Sequence, residues 1–514
     1  MVCVAAGSLQ AQVPPPLELP EVVIIGQEER QIPGGMKQQP LPPSVLPKAV
    51  LDTLNPLSKH TLVGLLPLPP FPATIPLPGL TTGSVTGSLG QYSAVALLGH
   101  HRWTWRPATL ALTAYIAATQ GHVRNADSIG AGVAAQARFS LPKSSWIFQD
   151  AHATAHFSTR WGSYNLFGEP DSPRRTHFAL AAQTGLLGRL ESLEYNLGIG
   201  VNVFSLRQGI QGHNEQHLQA SLYTLYPVSQ LPAGGVETQL NMRFWGEKTQ
   251  VFWHLSFPTV WARPPLRLHG AIGLQVARSY DATSFFLPAF RGELQYGLAP
   301  GWRMILGGRS FLSDAGVREL WQENPYIALG SIPTFPHERL GLRAALQWMP
   351  TPHWSVEPAF HFRSFARWWS WRRDTTALLL WTPSVTIMEA TVDVLWHALP
   401  GDRLALTFKL GRADSDHSSR VAYYVPILAQ LRYEHQWREA LQSLVGIEIV
   451  GARWADPHEQ LAGYVRLWGE LHYAIVPALL LTLTIDNALN AEIFRWSGYQ
   501  ERGVFVGASV RWSW

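Results

Sequence analysis

The stretch that decides the fold is GVFVGASVRWSW, residues 503–514. Val504, Val506, Ala508, Val510, Trp512 and Trp514 occupy alternate positions, with Phe505, Gly507, Ser509, Arg511 and Ser513 between them. A repeat of two residues sends one set to each face of a strand, so one face is apolar and the other is mostly small or polar. Left as an open edge, such a strand invites pairing with other chains; in a closed barrel it is paired on both sides. The pattern points to closure.

The same alternation recurs outward from this stretch, between Thr81 and Trp514. In ATLALTAYIAAT (108–119), Leu110, Leu112, Ala114, Ile116 and Ala118 stand against Thr109, Thr113, Tyr115 and Thr119. In LRLHGAIGLQVAR (266–278), Leu268, Ile272 and Leu274 stand against Arg267, His269 and Gln275. RLGLRAALQW (339–348), RLALTFKLG (403–411), YVRLWGELHY (464–473) and LLLTLTID (479–486) repeat the pattern. The apolar face is aliphatic, and the other carries Arg, Lys, Gln, Glu and His, which a dry core does not accept unpaired. Lipid outside and water or polar filling inside satisfy both faces. The expected fold is therefore all-β: a transmembrane antiparallel β-barrel of about 16–22 strands, behind an extended Pro-rich N-terminal segment. Trp103, Trp105, Trp146, Trp253 and the run Trp368, Trp369, Trp371 lie near segment ends, where interfacial girdles form. A soluble propeller also alternates, but no repeat of about 40 to 50 residues is present.

Composition is consistent with this reading. The 514 residues are 46% hydrophobic and 15% charged, with 22 Trp and 15 Tyr. No run reaches the about 18 uninterrupted apolar residues that a spanning helix needs, so a membrane position requires strands. Lys and Arg number 40 against 36 Asp and Glu, without a basic block, and no nucleic-acid partner is indicated. Residues 1–11, MVCVAAGSLQA, contain the single cysteine, Cys3, and are expected to be a truncated signal peptide cut after Ala11. Residues 12–80 hold 16 of the 38 prolines. Proline fixes φ and removes a backbone donor, so this segment reads as an extended tether. One island in it, Glu21, Val22, Val23, Ile24 and Ile25, has strand character and can add to the edge of a partner's sheet.

LTIDNALNAEIFRWSGYQERGVFVGASVRWSW (483–514) resembles the last two strands of TonB-dependent outer-membrane receptors. In that family an Asn-x-x-Asn turn, an aromatic and a Gly-Tyr pair lead to a final strand closing on an aromatic. Asp486, Asn487, Asn490, Phe494, Trp496, Gly498 and Tyr499 stand at those places. The resemblance implies that Val510, Trp512 and Trp514 form the signal read by the outer-membrane assembly machinery. PEVVIIG (20–26) is similar to the family's TonB box, which implies a TonB-like periplasmic protein, or another envelope protein, as partner of Glu21–Ile25. Those receptors place a folded plug of well over 100 residues before the barrel. Only about 55 proline-rich residues separate Gly26 from Thr81 here, so the chain resembles a plugless, barrel-only relative of Bacteroidota-like type. The resemblance implies the bacterial outer membrane, with its lipids and lipopolysaccharide, as the surroundings of the barrel at 81–514. The expected function is solute binding or transport. The alternative is a non-transporting scaffold or accessory subunit of an envelope complex.

No catalytic constellation is found: no Gly-x-Ser-x-Gly elbow, no His-Glu-x-x-His, no phosphate loop and no Cys-x-x-Cys. No enzyme activity and no cofactor are expected. His152 and His156, like His213 and His217, are four residues apart, which on a strand separates them by about 13 Å, too far to share an ion. They read as lumen or loop residues in preference to a metal site. RSFARWWSWRRD (363–374) reads as an interfacial girdle, with a ligand-stacking loop as the alternative. WQENPYIALG (321–330) reads as a loop in which Pro325 ends any regular element.

Overall fold

The computed structural model describes residues 82–514, apart from 142–148, 168–173, 227–231, 315, 330–333, 375–376, 382, 398–400, 417–419 and 457. The signal-like residues 1–11, the Pro-rich segment 12–80 and its island Glu21–Ile25 lie outside the described residues, as does Trp146.

Twenty-two antiparallel strands form one sheet, each strand paired with its neighbours in chain order. The first, Gly83–Gly90, pairs with Ala94–Trp105 on one side and with the last, Phe505–Ser513, on the other. The last strand also pairs with Leu479–Asp486, so the sheet has no free edge. In a bilayer this is decisive, because every strand N–H and C=O must find a partner within the protein. The strand count falls at the top of the expected range.

The alternation resolves into two faces. The outer one bears Leu97, Ile116, Ile199, Leu218, Phe257, Leu306, Leu342, Phe360, Phe408, Leu410, Val445 and Val510, all exposed, and Ile272 is 71% exposed. Apolar exposure of this extent has no place in water and makes this surface the lipid face. The inner face carries the Arg, Glu, Gln and His residues of the same strands.

The two ends differ. At one, turns such as 106–107, 191–192, 264–265, 300–301, 439–440 and 477–478 are two residues long. Gly301 has φ +77°, and a Cβ there would fall 2.4 Å from the Met349 carbonyl oxygen, so this turn requires glycine. Tryptophans gather at this end: Trp302 stacks on Trp348 across strands, Trp354 on Trp396, and Trp512 lies against Trp514. Outer-membrane barrels keep short turns on the periplasmic side and long loops outside, which orients the molecule. Trp103 and Trp105 belong to this group as expected, and Trp253 lies exposed on the outer face.

Trp368, Trp369 and Trp371 do not belong to the girdle. Their strand stops at Arg367, and the chain turns inward over the opposite end of the barrel. There the segments 313–336, 368–384, 416–426, 451–463 and 487–504 contribute a short helix, Val317–Glu323, and three small hairpins. Their apolar residues share one core with the inner wall: Val317, Leu320, Trp321, Tyr326, Ile327, Trp371 and Tyr499 cluster with Ala179, Phe204 and Leu206 of the wall and with the loop residue Leu166. Loops rising from distant strands thus meet over the outer mouth and cap it.

Candidate functional site

The cap and the wall beneath it form the candidate site. The helix Val317–Glu323 buries Val317, Leu320 and Trp321, spaced to share one face. Its start is closed by the Glu319 carboxylate, which accepts the Gly316 N–H at 2.7 Å. Its end is fixed where the Asn324 N–H donates to the Leu320 carbonyl and Pro325 follows. The sequence reading of 321–330 as a loop is corrected for Trp321–Glu323, which complete this helix; Pro325 follows its end as expected.

Two wall residues hold the segment after the helix. Arg175, fully buried, donates from Nη1 to the carbonyls of Pro325 and Ile327 at 3.0 and 2.8 Å, while its other nitrogens grip Gln208 Oε1. The Tyr164 hydroxyl accepts from Trp321 Nε1 and donates to the Pro325 carbonyl, both at 2.8 Å. Tyr326 then stacks on Tyr499 with ring centroids 3.5 Å apart, and Phe167 meets both rings edge-on. Trp496 packs on Trp371 and Tyr423, and Trp371 Nε1 donates to Glu323 Oε1 at 3.0 Å. Burial pushes the Glu323 carboxyl up and the Tyr326 hydroxyl well above its ordinary range.

Under the helix lies a buried ion cluster. Arg243 on the wall reaches Glu215 Oε1 at 3.3 Å, Asp314 Oδ2 at 3.2 Å and Glu319 Oε2 at 3.3 Å. The other oxygen of Glu215 accepts the Tyr280 hydroxyl at 3.1 Å and the Val317 N–H at 3.0 Å. Glu215 and Arg243 belong to the barrel, whereas Asp314 and Glu319 belong to the cap, so the cluster fastens one to the other. A Cβ at Gly316 would stand 2.4 Å from Arg243 Nη1 and 2.5 Å from Glu215 Oε1, so a side chain there would displace the ion pair. Burial opposes ionisation of Glu319, but Arg243 and the Gly316 N–H outweigh it and hold that carboxyl below the ordinary range. For Tyr280, burial and the adjacent Glu215 carboxylate drive the hydroxyl far upward.

The expected family-motif residues fall in the cap. Asn487 and Asn490 both adopt left-handed backbone, φ +48° and +51°, which asparagine tolerates better than most residues. The Asn487 side chain closes its turn through the Ala491 N–H and carbonyl and the Arg502 carbonyl. Asn490 Oδ1 accepts the Val504 N–H at 3.1 Å. Gly498, at φ +78°, turns the hairpin that presents Trp496 and Tyr499 to the core. Asp486 anchors the base through Arg466 at 2.7 Å and Arg502 at 2.8 Å. Val510, Trp512 and Trp514 stand apart from this group, exposed on the outer face of the closing strand.

His213 and His217 face inward under the cap; His213 lies on Trp245, and His217 sits between Asn202 and Asn241. The Arg243 cluster and Tyr326 were not singled out from sequence. The usable signal was Glu215 within HNEQH (213–217) and Arg243 at a strand end, both on the inward-facing alternate positions.

Below the cap the inner wall carries linked charges that retain contact with solvent. Arg309 and Arg363 each place Nε 3.1 Å from Glu338, Arg291 pairs with Glu237, Arg343 with Glu357, and Lys409 with Glu389 at 3.3 Å. The arrangement, among the described residues, is a charged and partly exposed inner wall with an apolar core of loop residues packed at its outer end.

No protein-family profile and no curated protein matches the sequence. Solved structures do match the fold. The copper transporter OprC superposes with TM-score 0.68 at 11% identity, covering 84% of this chain and 80% of that one. The FrpB iron transporter from Neisseria meningitidis gives 0.68 at 7% identity, with 84% and 81% covered. The ferric-catecholate import receptor Fiu from E. coli K12 gives 0.65 at 10%, with 84% and 82% covered. The chain therefore has the 22-stranded barrel fold of TonB-dependent receptors, with sequence similarity confined to a level that speaks for fold alone.

Proposed function

We propose that this protein is an outer-membrane receptor or transport barrel in which a solute passes through the lumen when the loop cap opens. The observation that carries this reading is the contrast between the mouth and the lumen. The mouth is sealed by one apolar core drawn from several loops, while the wall below stays charged and in contact with water. A scaffold has no need to keep such a wall solvated beneath a removable cover.

The second control element in this reading is the Pro-rich segment 12–80. It serves as a substitute for a folded plug, and a TonB-like periplasmic partner pulls on Glu21–Ile25 by adding them as a strand to its own sheet. The spacing between Gly26 and Thr81 supports the substitution, because it leaves no room for a plug of the usual size. Val510, Trp512 and Trp514 serve assembly rather than passage in this scheme.

The test is solute uptake by cells whose barrel lacks residues 13–80 or carries Val23→Pro. Passage is expected to be gated by the loop cap alone in the first, and to lose its dependence on membrane energy in the second. Uptake identical to wild type in both would leave the tether without a role and favour the scaffold reading.

A further inference from the structure

The inner wall carries an arrangement that the closed barrel alone does not explain. Arg291 on the strand Ser284–Ala299 stands directly opposite Arg309 on Trp302–Leu312, Arg309 opposite Gly341, and Gly341 opposite Arg363. Like charges facing each other across neighbouring strands are unfavourable. Two carboxylates offset three cations: Glu237 takes Arg291 Nη2 at 2.5 Å, and Glu338 takes the Nε of both Arg309 and Arg363 at 3.1 Å. Arg309 and Arg363 thus share a single carboxylate, while the neighbouring Arg343 faces two, Glu293 and Glu357.

Glu338 is only 1% exposed and both its oxygens are used. It engages each arginine by Nε only, so the Nη ends of Arg309 and Arg363 are taken by no acceptor among the described residues. Those ends are presented to the lumen, with Arg309 42% and Arg363 27% exposed. Aromatic faces steady them: Arg363 lies over Phe365 at 4.7 Å and Trp368 at 5.6 Å, and Arg309 over Phe311 at 5.3 Å. Between them Gly341 leaves the row open. A Cβ there would come within 2.3 Å of Glu338 Oε1 and 3.0 Å of Arg309 Cγ.

We propose that the row Arg291, Arg309, Gly341 and Arg363 is an oxyanion-binding site on the lumen wall, taking a carboxylate or phosphate group of the solute. Guanidinium groups suit such a ligand because their planar N–H edges match two oxygens of one anion. The unused N–H groups of Arg309 and Arg363 then find their partner in the ligand. Trp368 belongs to the cap, so an anion on Arg363 also touches the element that closes the mouth. As the site of a transported solute this assignment rests on the transport reading. Its test does not, because binding is measured on purified protein and passage is not involved.

The experiment is calorimetric titration of the detergent-solubilised full chain with citrate and, separately, with inorganic phosphate, at low salt. Wild type is expected to bind at least one. Citrate alone assigns a carboxylate, phosphate alone a phosphate, and both assign a site that reads charge more than shape; each supports the proposal. Arg309→Gln with Arg363→Gln is expected to weaken binding at least about tenfold. Arg432→Gln, on a lumenal arginine paired with Glu434, is expected to leave it unchanged. Should the double variant fail to fold, Glu338→Gln frees both Nε groups, removes a competing anion and is expected to tighten binding. No heat with either anion in wild type, equal affinity in the double variant, or weaker binding in Glu338→Gln overturns the assignment.

Discussion

Replacing Arg243 by Met tests what holds the cap closed. The substitution keeps the side chain's bulk and removes the cation that is ion-paired with Glu215, Asp314 and Glu319 at once. Side-chain exposures of 2% for Glu215 and 9% for Asp314 leave those two carboxylates with little water to replace it, while Glu319 at 40% is screened and counts for less. Stranding buried charge in this way costs about 3–5 kcal/mol. Because Asp314 and Glu319 leave the barrel when the cap lifts, most of that cost falls on the closed state. The closed-to-open ratio should drop by between about a hundredfold and several thousandfold. The assay is single-channel recording in planar bilayers, on a chain lacking residues 13–80 so that only the cap is read. Adding Glu215→Gln and Asp314→Asn removes the stranded charges and should restore much of the closed time. An Arg243→Met barrel that is folded, by its heat-modifiable gel mobility, and yet shows wild-type closed times would refute the reasoning.

Further outcomes follow from the same geometry. Tyr499→Ala removes a buried ring stacked on Tyr326 and should weaken the cap by about 3–5 kcal/mol, read as faster hydrogen exchange in 317–329 and 494–500. Glu319, whose carboxyl is held low in the folded cap, contributes stability that is present above its unfolded value and lost as pH falls through the folded one. Acid should therefore raise open probability, and Glu319→Gln should reduce that response. Glu323 has the opposite sign: its raised carboxyl favours the cap below the unfolded value, and that contribution is lost as pH rises through the folded one. Glu323→Gln should accordingly strengthen the cap at neutral pH, measured as longer closed times.

The barrel was legible because lipid and water impose opposite demands on alternate residues, and that conflict is written into every strand. Closure was legible in the last strand for the same reason. Strand number was bounded only, since tryptophan-rich stretches occur both at girdles and in the cap. RSFARWWSWRRD shows the difficulty: whether its tryptophans face headgroups or the mouth depends on where the strand ends, and that is settled by packing against Phe204, Tyr326 and Tyr499 from far along the chain. Tyr499 and Trp496 stand in a stretch that resembles a family motif, but nothing local tells that Tyr499 meets Tyr326. The Arg243 cluster draws on residues from 215 to 319 and exists only once the barrel has closed. Long-range contacts of this kind leave no periodic trace.

The most direct test of the central claim is labelling of a lumenal cysteine from outside the cell. Thr407, whose hydroxyl donates to Asp393 on the inner wall, is replaced by Cys in a chain lacking residues 13–80, and an impermeant thiol reagent is applied to intact cells. The account expects slow labelling behind the intact cap and fast labelling when Arg243→Met or Tyr499→Ala loosens it. Equal rates with and without those changes would show that the loops do not close the lumen, and would contradict it.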